Sequence, residues 1–130
     1  MANIIDVIKS MPDYIGASGR TDEEICQAER ALGISFAKDY RKYLEEIGLA
    51  CFDGRELTGL TEIARLDVVS VTTELREKFG KYVSSLYVVE EANIYGIVIW
   101  QDSDGAVYET TPNSKPKKIA SSLSEYIIGR

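Results

Sequence analysis

The stretch Thr21-Asp-Glu-Glu-Ile-Cys-Gln-Ala-Glu-Arg-Ala-Leu-Gly-Ile-Ser-Phe-Ala-Lys-Asp-Tyr-Arg-Lys-Tyr-Leu-Glu-Glu-Ile-Gly48 reads as two amphipathic helices joined by a tight apolar link. Thr21 with Glu24 three residues on forms a capping box, and Asp22 and Glu23 place negative charge where the helix dipole favours it. Ile25, Ala28 and Leu32 follow one face, and Gly33 supplies a left-handed stop. A second helix is expected from about Lys38. Its Tyr40, Tyr43, Leu44 and Ile47 recur at i, i+3, i+4 and i+7, and Gly48 ends it. Ile34 and Phe36, in the link, can pin the pair together.

Working outward, the N-terminal side carries Asn3 to Met11 as a third helix, with Ile4, Ile8 and Met11 on one face and Pro12 after its end. Pro12 to Arg20 reads as a connector. On the C-terminal side Asp53-Gly54 signals a turn, followed by a short strand over Arg55 to Thr58. Asp67 to Phe79 suits strand or helix by its valines; its length and the closing Gly80 favour a helix. Three strands follow: Leu86 to Glu91, Gly96 to Gln101 and Ala106 to Thr111, expected as a meander. The unbroken apolar run from Ile97 to Trp100 implies a central strand covered on both faces. Lys115-Pro-Lys-Lys118 reads as a connector or a poor edge strand. Ser122 and Glu125 form a second capping box, opening a last helix with Leu123, Tyr126 and Ile127 inward and Gly129 as its stop. The expectation is a single α+β domain over residues 1–130, a mainly antiparallel sheet packed with helices from both termini.

With 45% hydrophobic and 28% charged residues in 130, the chain has the composition of one folded domain. The N-terminus lacks the basic region and long apolar core of a signal peptide, and no apolar run approaches the roughly 18 residues of a membrane span, so a cytoplasmic location without membrane contact is expected. Cys26 and Cys51 have neither a CxxC spacing nor a histidine partner, which makes them reduced thiols rather than metal ligands. Asp102-Ser-Asp-Gly105 resembles the start of a calcium loop, but the later ligand positions are wrong, and a hairpin turn is expected instead. No metal or cofactor is expected.

Catalysis finds no support. Glu90 and Glu91, adjacent in a strand, point to opposite faces and cannot converge on one substrate atom. The chain has no histidine, and its serine pairs lack a nucleophile-elbow setting.

Charge is more informative. The net charge is −6, and from Tyr82 to Ser114 there is no Lys or Arg, although Glu90, Glu91, Asp102, Asp104 and Glu109 fall inside. Such a stretch is either a solvated acidic face or a surface for a cationic protein, and it argues against nucleic-acid binding. Tyr87, Tyr95, Trp100 and Tyr108 lie in or beside it. Trp100 is assigned to the core, whereas Tyr95, near Asn93 and Gly96 in a turn, suits an interface anchor.

The order of these elements resembles the SUKH superfamily, in particular its Smi/Knr-type domain. The resemblance rests on Ile25, Ala28-Glu29, Leu32-Gly33-Ile34, Phe36, Tyr40, Tyr43 and Leu44, and downstream on Leu57-Thr-Gly59-Leu60, the strand at Gly96 to Trp100, Asp104-Gly105 with Val107-Tyr108, and the helix from Ser122 to Ile128. Two departures are Ala37, where the family usually has proline, and Gly48-Leu49-Ala50, where Asn-Gly or Gly-Gly is common. The resemblance implies helices packed on an antiparallel sheet. It also implies an immunity protein that binds and neutralises a cognate bacterial toxin, often a nuclease, by stoichiometric contact and without turnover; the alternative is a regulatory interaction module without a toxin partner. Together with the charge pattern, it points to Glu90, Glu91, Tyr95, Asp102, Asp104 and Glu109 as the partner-binding residues.

Overall fold

A computed structural model of the chain describes residues 3–92 and 95–129. The helical block folds as its spacing dictates. Helix α2 (Asp22–Leu32) starts at a reciprocal box in which Thr21 Oγ1 accepts the Glu24 N–H at 3.2 Å and Glu24 Oε1 accepts the Thr21 N–H at 3.0 Å. It ends on Gly33 at φ 68°, the left-handed conformation that a Cβ would penalise. Helix α3 (Lys38–Glu46) opens on Ala37, which has no side-chain cap to offer. Its N–H is satisfied from a distance instead, by the Tyr87 hydroxyl at 2.9 Å.

The rest of the order is α1 (Ile4–Lys9), β1 (Ile15–Gly16), β2 (Ala50–Phe52), β3 (Arg55–Glu56), α4 (Val68–Phe79), β4 (Tyr87–Glu91), β5 (Val98–Gln101), β6 (Val107–Thr110), β7 (Lys117–Ala120) and α5 (Leu123–Gly129). Two antiparallel sheets form, β1-β2-β3 and β4-β5-β6-β7. The larger one is the expected meander, with the Lys-rich segment as its edge. The smaller sheet is a finding: the connector after Pro12 contributes β1, which pairs Ile15 with Cys51 and Gly16 with Ala50. Two residues are too few for an alternation signal in the sequence. Asp53 and Gly54 turn the β2–β3 hairpin with φ 49° and 72°, both positive as a type I′ turn requires. Gly129 lies within α5 rather than ending it. In the second box Ser122 Oγ accepts the Glu125 N–H, but Glu125 reaches back to Ser121, not Ser122.

Both faces of the larger sheet are covered. Tyr87, Val89, Ile99, Val107 and Ala120 pack into the main core with α1, α2, α3 and α5, while Val88, Val98 and Trp100 pack under Val71, Leu75 and Val83 on and after α4. All four β5 residues are buried, as a central strand demands. Trp100 is fully enclosed, edge-on to Phe79 at 5.9 Å, with its indole N–H donated to Thr110 Oγ1 at 2.9 Å.

Two buried polar relays lock the layers. Thr58 donates its one hydroxyl proton to the Val88 carbonyl at 2.8 Å, so the Tyr40 hydroxyl, also at 2.8 Å, donates to Thr58. Tyr43 donates to the Thr58 carbonyl and accepts the Ala50 N–H. Burial pushes both phenols above their usual range. In the second relay Tyr87 donates to Gln101 Oε1 at 2.6 Å, and Gln101 Nε2 donates to Asp39 Oδ1 at 3.0 Å. Asp39 Oδ2 accepts the Leu123 N–H at 2.8 Å, capping α5 from 84 residues away.

Candidate protein-binding surface

The six residues singled out by charge and aromatic content do not form one surface. Glu90 is 5% exposed, and its carboxylate takes Arg55 Nη2 at 3.1 Å and the Tyr126 hydroxyl at 2.6 Å. Arg55 lies between the rings of Phe52 and Tyr126, 5.4 and 5.3 Å from their centroids. The expectation that Glu90 faces a partner is therefore corrected: it is the buried counter-ion of a largely enclosed arginine that arrives on β3. No feature of the base-free stretch itself could reveal a cation 35 residues upstream.

Glu91, next along β4, points the other way and is exposed, as strand alternation requires. Its carboxyl is held above the usual range by partial burial first and by Glu74 on α4 second, with Lys78 opposing. Sequence reading missed Glu74, which only the crossing of α4 over the sheet brings near.

Tyr95 is the most exposed large hydrophobic residue among the described residues, at 88%. It sits at φ 54°, followed by Gly96 at φ 70°, on the β4–β5 hairpin tip. A side chain at Gly96 would strike Pro112 of the β6–β7 loop, so that loop braces the tip. Asn93, expected in the same turn, lies outside the described residues.

Asp102 and Asp104 lie at the other end of β5. Asp102 Oδ1 accepts the backbone N–H groups of Asp104 and Ala106, both at 3.0 Å, and Oδ2 accepts the Tyr108 hydroxyl at 2.9 Å. This carboxylate builds the turn, confirming the hairpin reading and leaving little of it for a partner. Asp104 is exposed beside Lys38, Asp39 and Ser122. Across β5 the two tips are separated by roughly 20 Å at about 3.4 Å per strand residue. Glu109 stands in β6 opposite Lys117 of β7.

Charge segregation along the chain is thus not segregation in space. Lys81 and Lys115, just outside the base-free stretch, place their ammonium groups 5.7 and 5.1 Å from the Tyr82 ring centroid, and Lys117 and Lys118 line its edge on β7. Tyr87, grouped by sequence with the interface aromatics, is fully buried.

Other chemistry is sparse. Among the described residues no group of three or more His, Cys, Asp or Glu is placed to hold a metal ion. Cys26 and Cys51 are free thiols. The groove lined by Arg20, Glu24, Gln27, Ala28, Leu60 and Glu62 contains a carboxylate already committed to the Thr21 cap, and Arg20 pairs with it at 3.7 Å. No helix among the described residues is long and apolar enough to cross a membrane.

The crystal structure of a protein from Pseudomonas syringae pv. tomato superposes with a TM-score of 0.76 at 10% sequence identity, over 95% of this chain and 92% of that one. At that identity the likeness shows the fold alone. No curated protein matches the sequence. The profile of SUKH_5, described as SMI1-KNR4 cell-wall, matches residues 1–128, and its reach over nearly all the elements described above makes this chain a member of that SUKH family.

Proposed function

We propose that this protein is a cytoplasmic immunity protein that binds a cognate bacterial toxin and neutralises it by occupancy, without chemistry. The observation that carries the reading is Tyr95: a large aromatic, 88% exposed, held in a left-handed backbone conformation that residues with a side chain adopt at a cost. The left-handed pair Tyr95-Gly96 serves the hairpin turn, but the turn does not need a large exposed ring, whereas an aromatic anchor at a braced tip suits a protein interface. Glu91 adds an acidic rim to the same end of the sheet, and the net charge of −6 favours a basic partner such as a nuclease. Asp104 and Glu109 lie away from this tip, Asp104 at the far end of β5 and Glu109 partway along β6; they serve as outlying charges at most, and Glu90 and Asp102 are committed to the fold.

The test is co-expression with the toxin encoded beside this gene, together with titration of the purified pair. The wild-type chain is expected to restore growth and bind one to one. Tyr95→Ala with Glu91→Lys should weaken binding by about a hundredfold, in the range of an aromatic hot spot plus a reversed charge, while Tm stays within a degree or two. Failure of the wild type to rescue sinks the toxin reading and leaves a regulatory module as the better account. Rescue and affinity unchanged in the double variant sink the placement at Tyr95.

A further inference from the structure

We propose that the contact surface beginning at Tyr95 and Glu91 runs on across the outer face of the small sheet, where the partner seats a basic side chain between Glu56 and Glu91 and an apolar one in the hollow beside Ile15. The inference rests on the reading of a basic protein partner and extends it to residues outside the base-free stretch.

Strand alternation makes the face. Ala50 and Phe52 point into the main core, so Cys51 between them points outward. Cys51 lies opposite Ile15 on β1 and Glu56 on β3, and the three form a row about 10 Å long, at roughly 4.8 Å between strands. Ile15 is 67% exposed, while Cys51 and Glu56 are half-buried. An isoleucine left mostly in water contributes little to the core.

Two hollows lie along that row. The first, of about 160 Å³, is walled by Ile15, Ala17, Leu49, Cys51 and Leu66, with Glu56 as its one charged side chain. The second, of about 90 Å³, is lined by Glu56, Thr58, Arg65, Leu66 and Glu91. Glu56 and Leu66 belong to both, so the apolar hollow adjoins the one that holds Glu91. Glu91 in turn ends β4, where the bond from the Ala92 N–H to the Ile97 carbonyl closes the hairpin that carries Tyr95.

Size and charge choose the occupant. Both hollows are smaller than the roughly 300–1,000 Å³ of small-molecule sites, and each suits a single side chain. Arg65, on the 3₁₀ turn Ala64–Leu66, is the one cation lining either of them, and its guanidinium holds both Glu56 oxygens at 2.7 and 3.1 Å. That pair shows the kind of group the second hollow takes. Its side chains are 65% and 39% exposed, which makes it a weak surface pair whose carboxylate an incoming guanidinium can share. Across the hollow, Lys78 favours the charge of Glu91, but partial burial and Glu74 outweigh it. Two carboxylates against one guanidinium leave a net acidic acceptor, which attracts Lys or Arg and repels phosphate. A second copy of this chain, itself at −6, is a poor match.

The experiment uses the purified full chain and the toxin encoded beside its gene. Ile15→Asp should weaken binding about tenfold, and Glu56→Lys at least as much, with the urea midpoint of each variant unchanged. Iodoacetamide should alkylate Cys51 about tenfold more slowly in the complex than in the free chain, and Cys26 at the same rate in both, the two thiols being followed separately by peptide mass. A wild-type chain that does not bind the toxin overturns the partner reading and this proposal with it. Binding that Tyr95→Ala weakens, while Ile15→Asp and the Cys51 rate leave it unmoved, overturns this proposal alone. Self-association of the free chain that Ile15→Asp abolishes overturns it in favour of a second copy.

Discussion

The boundaries of α2 rest on contacts a few positions apart, whereas in the stretch between Tyr82 and Ser114 the partners that decide the place of Glu90 lie dozens of residues away. The capping box spans three residues, and Glu29 reaches seven to accept the Phe36 N–H. Glu90, by contrast, depends on Arg55 and Tyr126, which are 35 and 36 residues distant. The two regions carry charge for different reasons. In the first, acid at a helix start is a local electrostatic device. In the second, an acidic run along the chain is folded so that one member is buried, one builds a turn and one faces a lysine. A linear tally of charge describes a surface only where the residues stay on it.

The largest effect that tests this contrast is expected at Glu90. Glu90→Ala strands the Arg55 guanidinium, whose side chain is only 15% exposed, without its counter-ion. Breaking such a buried pair costs about 3–5 kcal/mol, read as a lower urea midpoint at an unchanged slope. Glu90→Gln, which keeps an acceptor for Tyr126, should cost less. A loss below about 1 kcal/mol for the alanine variant, the range of a surface pair, would return Glu90 to the surface and erase the difference between the two regions.

Thr21→Ala probes the other side of the comparison, with a smaller expected loss of about 1 kcal/mol for a missing N-cap. The loss should appear in local amide exchange across the first turn of α2 before it appears globally, because the bond it removes is local. If the effect is as large as that of Glu90→Ala, the helical block depends on long-range support more than its capping geometry implies.

This difference also explains what the sequence made legible. Capping boxes, glycine stops and the apolar periodicity of Tyr40, Tyr43 and Leu44 are short-range signals, so α2, α3, α4 and the meander could be read directly. β1 could not, because its two residues become a strand only by meeting Cys51 and Ala50. Of the candidate surface, Tyr95 was visible as an aromatic in a polar turn. The burial of Glu90, the closeness of Glu74 to Glu91, and the lysines around Tyr82 all arise from chain crossings, and no periodicity encodes those.

The smallest expected effect is at Glu91, and it bears on function. Partial burial, and then Glu74, raise its carboxyl above the ordinary 4.5, so the folded protein binds that proton more readily than the unfolded chain. Ionisation of Glu91 therefore opposes folding above the unfolded value, and the penalty is relieved as pH falls through the raised folded one. Glu91→Gln should raise Tm slightly at pH 7 and match the wild type at pH 3, where both side chains are neutral. An unchanged or lowered Tm at pH 7 would mean that Lys78 outweighs Glu74, making Glu91 part of the scaffold. If the substitution stabilises the chain while weakening its hold on a basic partner, the charge is kept at the fold's expense. The two neighbours on β4 would then mark the divide within one strand: Glu90 ionised for the fold, Glu91 ionised for what binds it.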